Sequence, residues 1–215
     1  GLAVARGVLA GDRLEAVETI FRQTPKVPGR QNYGGRLVFA PDGSLFVLAG
    51  ERFAPAAARD PATTIGKVVR IRPDGTVPAD NPFAGVDGAD PTVWSIGHRN
   101  PGGGAIHPRT GRLYVAEFGP RGGDELNVAR AGGDFGWPDA SWGVHYSGED
   151  IPDPPTRPDL DPAIFFWTPT IGPSGMAFYR GEGPAAVPEW TGSLLVGALT
   201  RKALVRLTLG DARVL

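Results

Sequence analysis

The 215-residue sequence predicts an all-β fold of the β-propeller type, and three observations carry that expectation. A hairpin pattern occurs three times. Glycine (32 residues) and proline (22) are spread along the chain between apolar runs, as many short strands and turns require. Almost no stretch has helical periodicity. The hairpins are "GGRLVFAPDGSLFVLAGE" from Gly34, "GGAIHPRTGRLYVAEFGP" from Gly103 and "SGMAFYRGEGPAAVPEWTGSLLVGALT" from Ser174, with starts about 70 residues apart. Each is a glycine or serine, a short apolar strand, a turn and a second apolar strand ending in Ala or Gly. Small residues suit strands that crowd a propeller axis. A sandwich is the rival all-β architecture, but it needs no repeat this long.

Taken in order, residues 2–23 read as two outer strands of a blade. The first hairpin follows, then a further strand in "GKVVRIRPDG" (66–75). "WSIGHRNPGG" (94–103) ends a strand and turns at Asn100-Pro101. The second hairpin runs into "EFGPRGGDELN" (117–127), which opens the least repetitive part, residues 119–152, read as an inserted top loop. The third hairpin is followed by strand candidates in 203–215. The expectation is a single partial propeller domain over 1–215 that starts and ends mid-blade. Its open blade faces would make the piece sticky or self-associating.

Composition sets limits on function. A net charge of −1 gives no reason to expect nucleic acid or an anionic membrane as partner. The absence of cysteine excludes disulfides, thiolate metal sites and a cysteine nucleophile. No apolar run approaches the ~20 residues of a membrane span. No signal peptide is visible, and the chain lacks a starting Met, so this says little about location.

Several residues have chemistry worth placing. Asp124 and Glu125 are adjacent and on a strand would point to opposite sides. Glu125 with nearby carbonyls suits a hard cation such as calcium; alternatively both acids satisfy backbone N–H groups in a glycine-rich turn. Arg99 presents a planar fork suited to a carboxylate, or ties down its own turn. His98, His107 and His145 form no metal spacing and read as structural.

The motifs together resemble the soluble quinoprotein sugar dehydrogenases, the glucose/sorbosone dehydrogenase family, and its aldose sugar dehydrogenase branch above all. The collinear matches are "FRQTPKVPG", "YGGRLVF", "GKVVRIRPDGTVPADNPF", "WSIGHRNPGG", "EFGPRGGDELN", "DFGWPDASWGVHYSG" and "PSGMAFYRG". The resemblance implies a six-bladed propeller, of which this chain covers about half of the ring. It implies pyrroloquinoline quinone (PQQ) bound through calcium, oxidation of the anomeric carbon of an aldose sugar to a lactone, an electron acceptor, and a periplasmic or secreted location. By position, Arg99 and Asn100 match cofactor contacts, with Arg99 neutralising charge on the reduced quinone. Gly119 and Pro120 match carbonyls on the PQQ-linked calcium. Glu125 and the Phe135 carbonyl match a structural calcium site. Tyr146 matches a tyrosine lining the cofactor pocket, and Asp124 orients a neighbouring group.

Three positions depart from the pattern. Asn32 stands where the family has its catalytic histidine, and an amide cannot accept a proton near neutral pH. Thr200 stands where a cofactor-contacting lysine is usual. Arg201 or Lys202 offers a substitute cation, but neighbouring strand positions face the other way. Gly102 replaces a common glutamine. Two readings follow: an impaired dehydrogenase, or a non-catalytic calcium-stiffened propeller used for binding. A metal-dependent lactonase is weaker, because no acidic cluster near the axis is visible.

Overall fold

The computed structural model describes residues 1–210, and the last part of the expected strand region, 211–215, lies outside them. The described chain is all-β. Strands β1 (Ala3–Ala10) and β2 (Arg13–Arg22) form an antiparallel hairpin. The next sheet contains β3 (Gly34–Phe39), β4 (Leu45–Ala49), β5 (Lys67–Ile71) and β6 (Val93–Ser95), in that order. Another four-stranded sheet follows: β7 (Pro101–Ile106), β8 (Leu113–Glu117), β9 (Asp124–Ala129) and β10 (Phe165–Trp167). The last sheet has β11 (Pro173–Phe178), β12 (Leu194–Ala198) and β13 (Ala203–Leu207).

Within the sheets, each strand pairs antiparallel with its sequence neighbour. The sheets stack face to face in chain order, in the manner of propeller blades. Strand periodicity makes this work, because successive side chains leave a strand on opposite faces. On β4, Leu45 and Val47 pack toward the β1–β2 hairpin, against Val4 and Phe21. Phe46 and Leu48 face the other way, against Leu113 and Val115 of β8. On β8, Tyr114 and Ala116 then face β12, against Leu194 and Val196. A central strand buried on both faces must be apolar throughout, and β4 "LFVLA" and β8 "LYVAE" are, apart from the terminal Glu117. Three cores in series, in place of one shared core, set this arrangement apart from a sandwich.

The inner strands β3, β7 and β11 approach one another closely. A Cβ on Gly103 would sit 2.3 Å from the Ser174 main-chain oxygen. Backbone crowding therefore requires glycine at Gly103, and likewise at Gly34, where a Cβ would sit 2.5 Å from the Leu48 main-chain oxygen.

Two sequence readings change. The stretch 119–152 carries β9 in its first part, so the long connection is the segment between β9 and β10, residues 130–164. Residues 199–202 form the turn between β12 and β13. The strand alternation applied to Thr200, Arg201 and Lys202 does not hold there, and Lys202 has a φ of +50°. A hairpin turn needs such a residue to reverse the chain.

Candidate functional site

The site lies at the end of the sheets where β3 and β7 begin and where β4 and β8 finish. Asn32, just before β3, has a left-handed φ of +49°. Its Nδ2–H donates to the Glu51 carboxylate, and its carbonyl accepts the Arg52 N–H at 3.1 Å. Glu51 is buried, and its N–H donates to the Arg99 carbonyl at 2.8 Å. Asn100 Oδ1 accepts the Gly34 N–H at 3.0 Å. Asn32 is thus tied to Arg99 through Glu51, whose carboxylate takes one bond and whose main-chain N–H makes the other, and Asn100 holds Gly34, two residues past Asn32.

Arg99 is buried, and its guanidinium spans the gap between β8 and the long connection. Nη1 donates to the Phe118 and Gly119 carbonyls at 3.1 and 2.7 Å, and Nη2 to the Tyr146 hydroxyl at 3.1 Å. The Trp137 ring lies 5.2 Å from the Arg99 Cζ and the Tyr146 ring 5.7 Å. Such a cation near two aromatic faces is held in orientation. Arg99 Nε is buried without a hydrogen-bond partner among the described residues. Tyr146 is 64% exposed, so the residue that covers the buried arginine on this side itself borders solvent.

Behind Arg99 is a cavity of about 10 Å³, lined by Arg99, Glu117, Gly119, Glu125, Phe135 and Trp137 among others. That is room for about one water or one ion. The turn that closes it is tight. A Cβ on Gly119 would lie 2.1 Å from the Gly122 oxygen and 2.4 Å from the Gly123 oxygen, so only glycine fits. Pro120 follows it, buried. Glu125, on β9, accepts Asn127 Nδ2–H at 3.2 Å. Burial first, and then the charge of Glu117, push the Glu125 carboxyl up to about 8. Burial acts against Glu117 as well, but His98, the Arg99 N–H and Asn127 hold its carboxyl below the usual range.

Asp124 points away from this cavity, as strand alternation requires. It is fully buried and accepts the N–H groups of Gly119, Ile171 and Gly172 at 2.9, 2.8 and 2.8 Å, and the Thr170 hydroxyl. It ties the Gly119 turn to the start of the third repeat. Thr200 reaches this network only from behind: its hydroxyl donates to the Thr170 carbonyl at 3.2 Å. Gly102 packs under Phe118 and the Pro173 carbonyl, 2.8 and 2.6 Å from where a Cβ would be. A glutamine does not fit there without a shift of the main chain.

The histidines behave differently from one another. His98 is fully buried, with Nδ1 donating to Glu117 Oε1 at 2.9 Å, Nε2 bonded to Ser95 Oγ at 2.8 Å, and its ring stacked on Phe135 at 4.7 Å. His107 caps a turn, its Nδ1 accepting the Arg109 N–H at 3.2 Å. It lines a larger, open cavity of about 900 Å³ at the opposite end of the sheets. Burial pushes His107 below its ordinary value, with Arg109 and Arg112 adding to the effect. His145 closes a turn through its N–H to the Glu149 carbonyl at 2.8 Å. Among the described residues, no three His, Asp or Glu side chains are placed to hold a metal together. Sequence reasoning missed Glu51, Glu117, Asn127 and Trp137. All four lie inside quoted stretches, but nothing in their spacing assigned them partners.

Comparison with known proteins adds the family. The Glucose / Sorbosone dehydrogenase family matches over residues 1–215. The chain belongs to that family. The aldose sugar dehydrogenase YliI of Escherichia coli is 38% identical over all of this chain and 58% of its own length. A crystal structure of a glucose dehydrogenase superposes with a TM-score of 0.93 at 43% identity, covering 99% of this chain and 62% of the other. The PQQ-bound aldose sugar dehydrogenase of Streptomyces coelicolor gives 0.73 at 31% identity, covering 95% and 53%. The chain therefore spans little more than half the length of these relatives. Its sheets match those of the Glucose / Sorbosone dehydrogenase structures, and no helix among the described residues is long and apolar enough to cross a membrane.

Proposed function

We propose that the chain forms the cofactor-binding part of a PQQ-dependent dehydrogenase that oxidises the anomeric carbon of an aldose to a lactone, with turnover held low by Asn32. The observation that carries this is the Arg99 guanidinium, fixed by two carbonyls and the Tyr146 hydroxyl, with Nε left unpartnered. A buried cation with a spare donor fits an anionic cofactor. The metal side fits too. A carboxyl raised by burial, as Glu125 is, is relieved by a hard cation, and a single-ion cavity adjoins it. Main-chain oxygens complete the coordination, since side-chain acids are too few.

When bound, PQQ would supply a two-electron acceptor, and the Gly119 and Pro120 carbonyls would hold its calcium. Arg99 and Asn100 would bind and orient the cofactor, with the Arg99 guanidinium as counter-charge to its reduced form. Tyr146 covers the arginine's outer face. Glu125 and the Phe135 carbonyl hold a second calcium that stiffens the long connection. Asn32 holds the sugar hydroxyl with its Oδ1 or its second Nδ2–H, since the other Nδ2–H is committed to Glu51. It removes no proton, and general-base catalysis contributes roughly 10²–10⁴-fold. The electron acceptor follows as an exogenous dye or a partner of matching potential. The family resemblance supports a complete ring of six blades, about half of them here, working outside the cytoplasm.

The Asn32–Glu51 bond also favours a second reading, a non-catalytic calcium-binding propeller, since it fixes a donor where a base would be needed. Full-length protein loaded with PQQ and calcium, assayed for aldose-dependent dye reduction, separates them. Weak but measurable reduction is expected. None at any sugar concentration supports the binding protein, and rates equal to ordinary members would refute the role given to Asn32.

A further inference from the structure

Glu117 closes β8, and neither the cofactor contacts nor the calcium ligands use it. Its carboxylate is nonetheless fully engaged. Oε2 accepts the Arg99 N–H at 2.7 Å, and Oε1 accepts His98 Nδ1–H and Asn127 Nδ2–H, each at 2.9 Å. Asn127 Nδ2 also donates to Glu125 Oε2 at 3.2 Å. His98 and Asn127 are fully buried and Glu117 nearly so. An unbroken run of hydrogen bonds thus leads from the Arg99 main chain to the Glu125 carboxylate. Both ends line the same small cavity. Asn127 Oδ1 has no partner among the described residues. The amide is held there by its donors alone, as a bridge between two acids.

We propose that Glu117 is a positioning residue that transmits cation occupancy at Glu125 to the Arg99 main chain, with Asn127 as the link. The proposal rests on the reading of Glu125 as a cation ligand. Two buried carboxylates share one amide. A cation that draws on Glu125 weakens its claim on Asn127 and removes the repulsion between the acids, so Asn127 and Glu117 resettle together. Glu117 cannot shift without moving the Arg99 N–H and the His98 ring it holds. Coupling of this kind is reciprocal, so the position of Arg99 also sets cation affinity.

The test needs neither PQQ nor turnover. Calcium alone is titrated into the ¹⁵N-labelled chain while calorimetry reports binding and NMR follows the Arg99 amide and the His98 Nδ1–H. Wild type is expected to bind calcium and to move both resonances along the binding curve. Asn127→Ala, which keeps the Glu117 bonds to Arg99 and His98, is expected to bind calcium with the Arg99 response lost. Glu117→Gln gives an independent cut: one amide oxygen cannot serve Arg99, His98 and Asn127 together, so the Arg99 response should again vanish. Calcium binding that leaves Arg99 unmoved in wild type, or moves it equally in both variants, overturns the proposal and spares the cation site. Absence of calcium binding, or binding unchanged in Glu125→Gln, overturns both.

Discussion

At the scale of single residues, position 32 decides the chemistry. Asn32 donates to a buried carboxylate, and Glu51 is placed to accept from a ring N–H in the same way. Asn32→His is therefore expected to raise dye-reduction turnover of the loaded full-length protein by about 10²-fold. An unchanged rate would count against the base assignment. Lys67 offers a separate prediction. It is fully buried and donates to the Ala57, Ala58 and Ile65 carbonyls at 2.7, 2.8 and 2.6 Å. Burial pushes it down from 10.5 to about 7, against the pull of Asp60, Asp134 and Asp90. Between those values the unfolded chain binds the extra proton, so this group's contribution to stability rises with pH across that window and is flat below it. Lys67→Met strands the carbonyls and is less stable throughout, but it lacks the rise. Urea unfolding at about pH 6.5 and about pH 9.5 should show the gap between wild type and variant widening at the higher pH. A constant gap would sink the idea.

At the scale of elements, the joints between blades are polar stitches over apolar faces. Asp124 binds three N–H groups and one hydroxyl on two separate segments. Asp124→Ala leaves those donors buried without partners and should cost on the order of 3 kcal/mol by denaturant titration. A loss under about 0.5 kcal/mol would mean that water replaces the carboxylate. The Arg99 turn and the three hairpins were legible in the sequence, because glycine, proline and alternating apolar residues act locally. The division of 119–152 into β9 and a long connection was not. The strand "DELNVA" is defined by its pairing with β8, and its acids sit inward only because partners await them. The turn at 199–202 was also missed, since a tight reversal without glycine leaves no local mark.

At the scale of the whole molecule, the series of interfaces stops at each end of the described chain. Val8, Leu9, Leu14 and Val17 on the β1–β2 hairpin are each at least 59% exposed, as is Leu204 on β13. Apolar surface of this extent on one hairpin favours association. Light scattering on the purified 215-residue chain is expected to find dimers or larger species that shift with concentration. A monomer at high concentration would argue that these faces are inert.

The sequence alone determined the strand hairpins, their repeat, the all-β class and the family to which the chain belongs. These depend on side-chain alternation and turn chemistry within a few residues, and on motifs kept in order. Only the tertiary structure decided which acid does what. Glu117, Asp124 and Glu125 look alike in "EFGPRGGDELN", yet one holds an arginine's main chain, one staples two repeats and one borders an ion-sized cavity. A carboxylate takes its role from the donors around it, and folding brings those donors from up to 48 residues away.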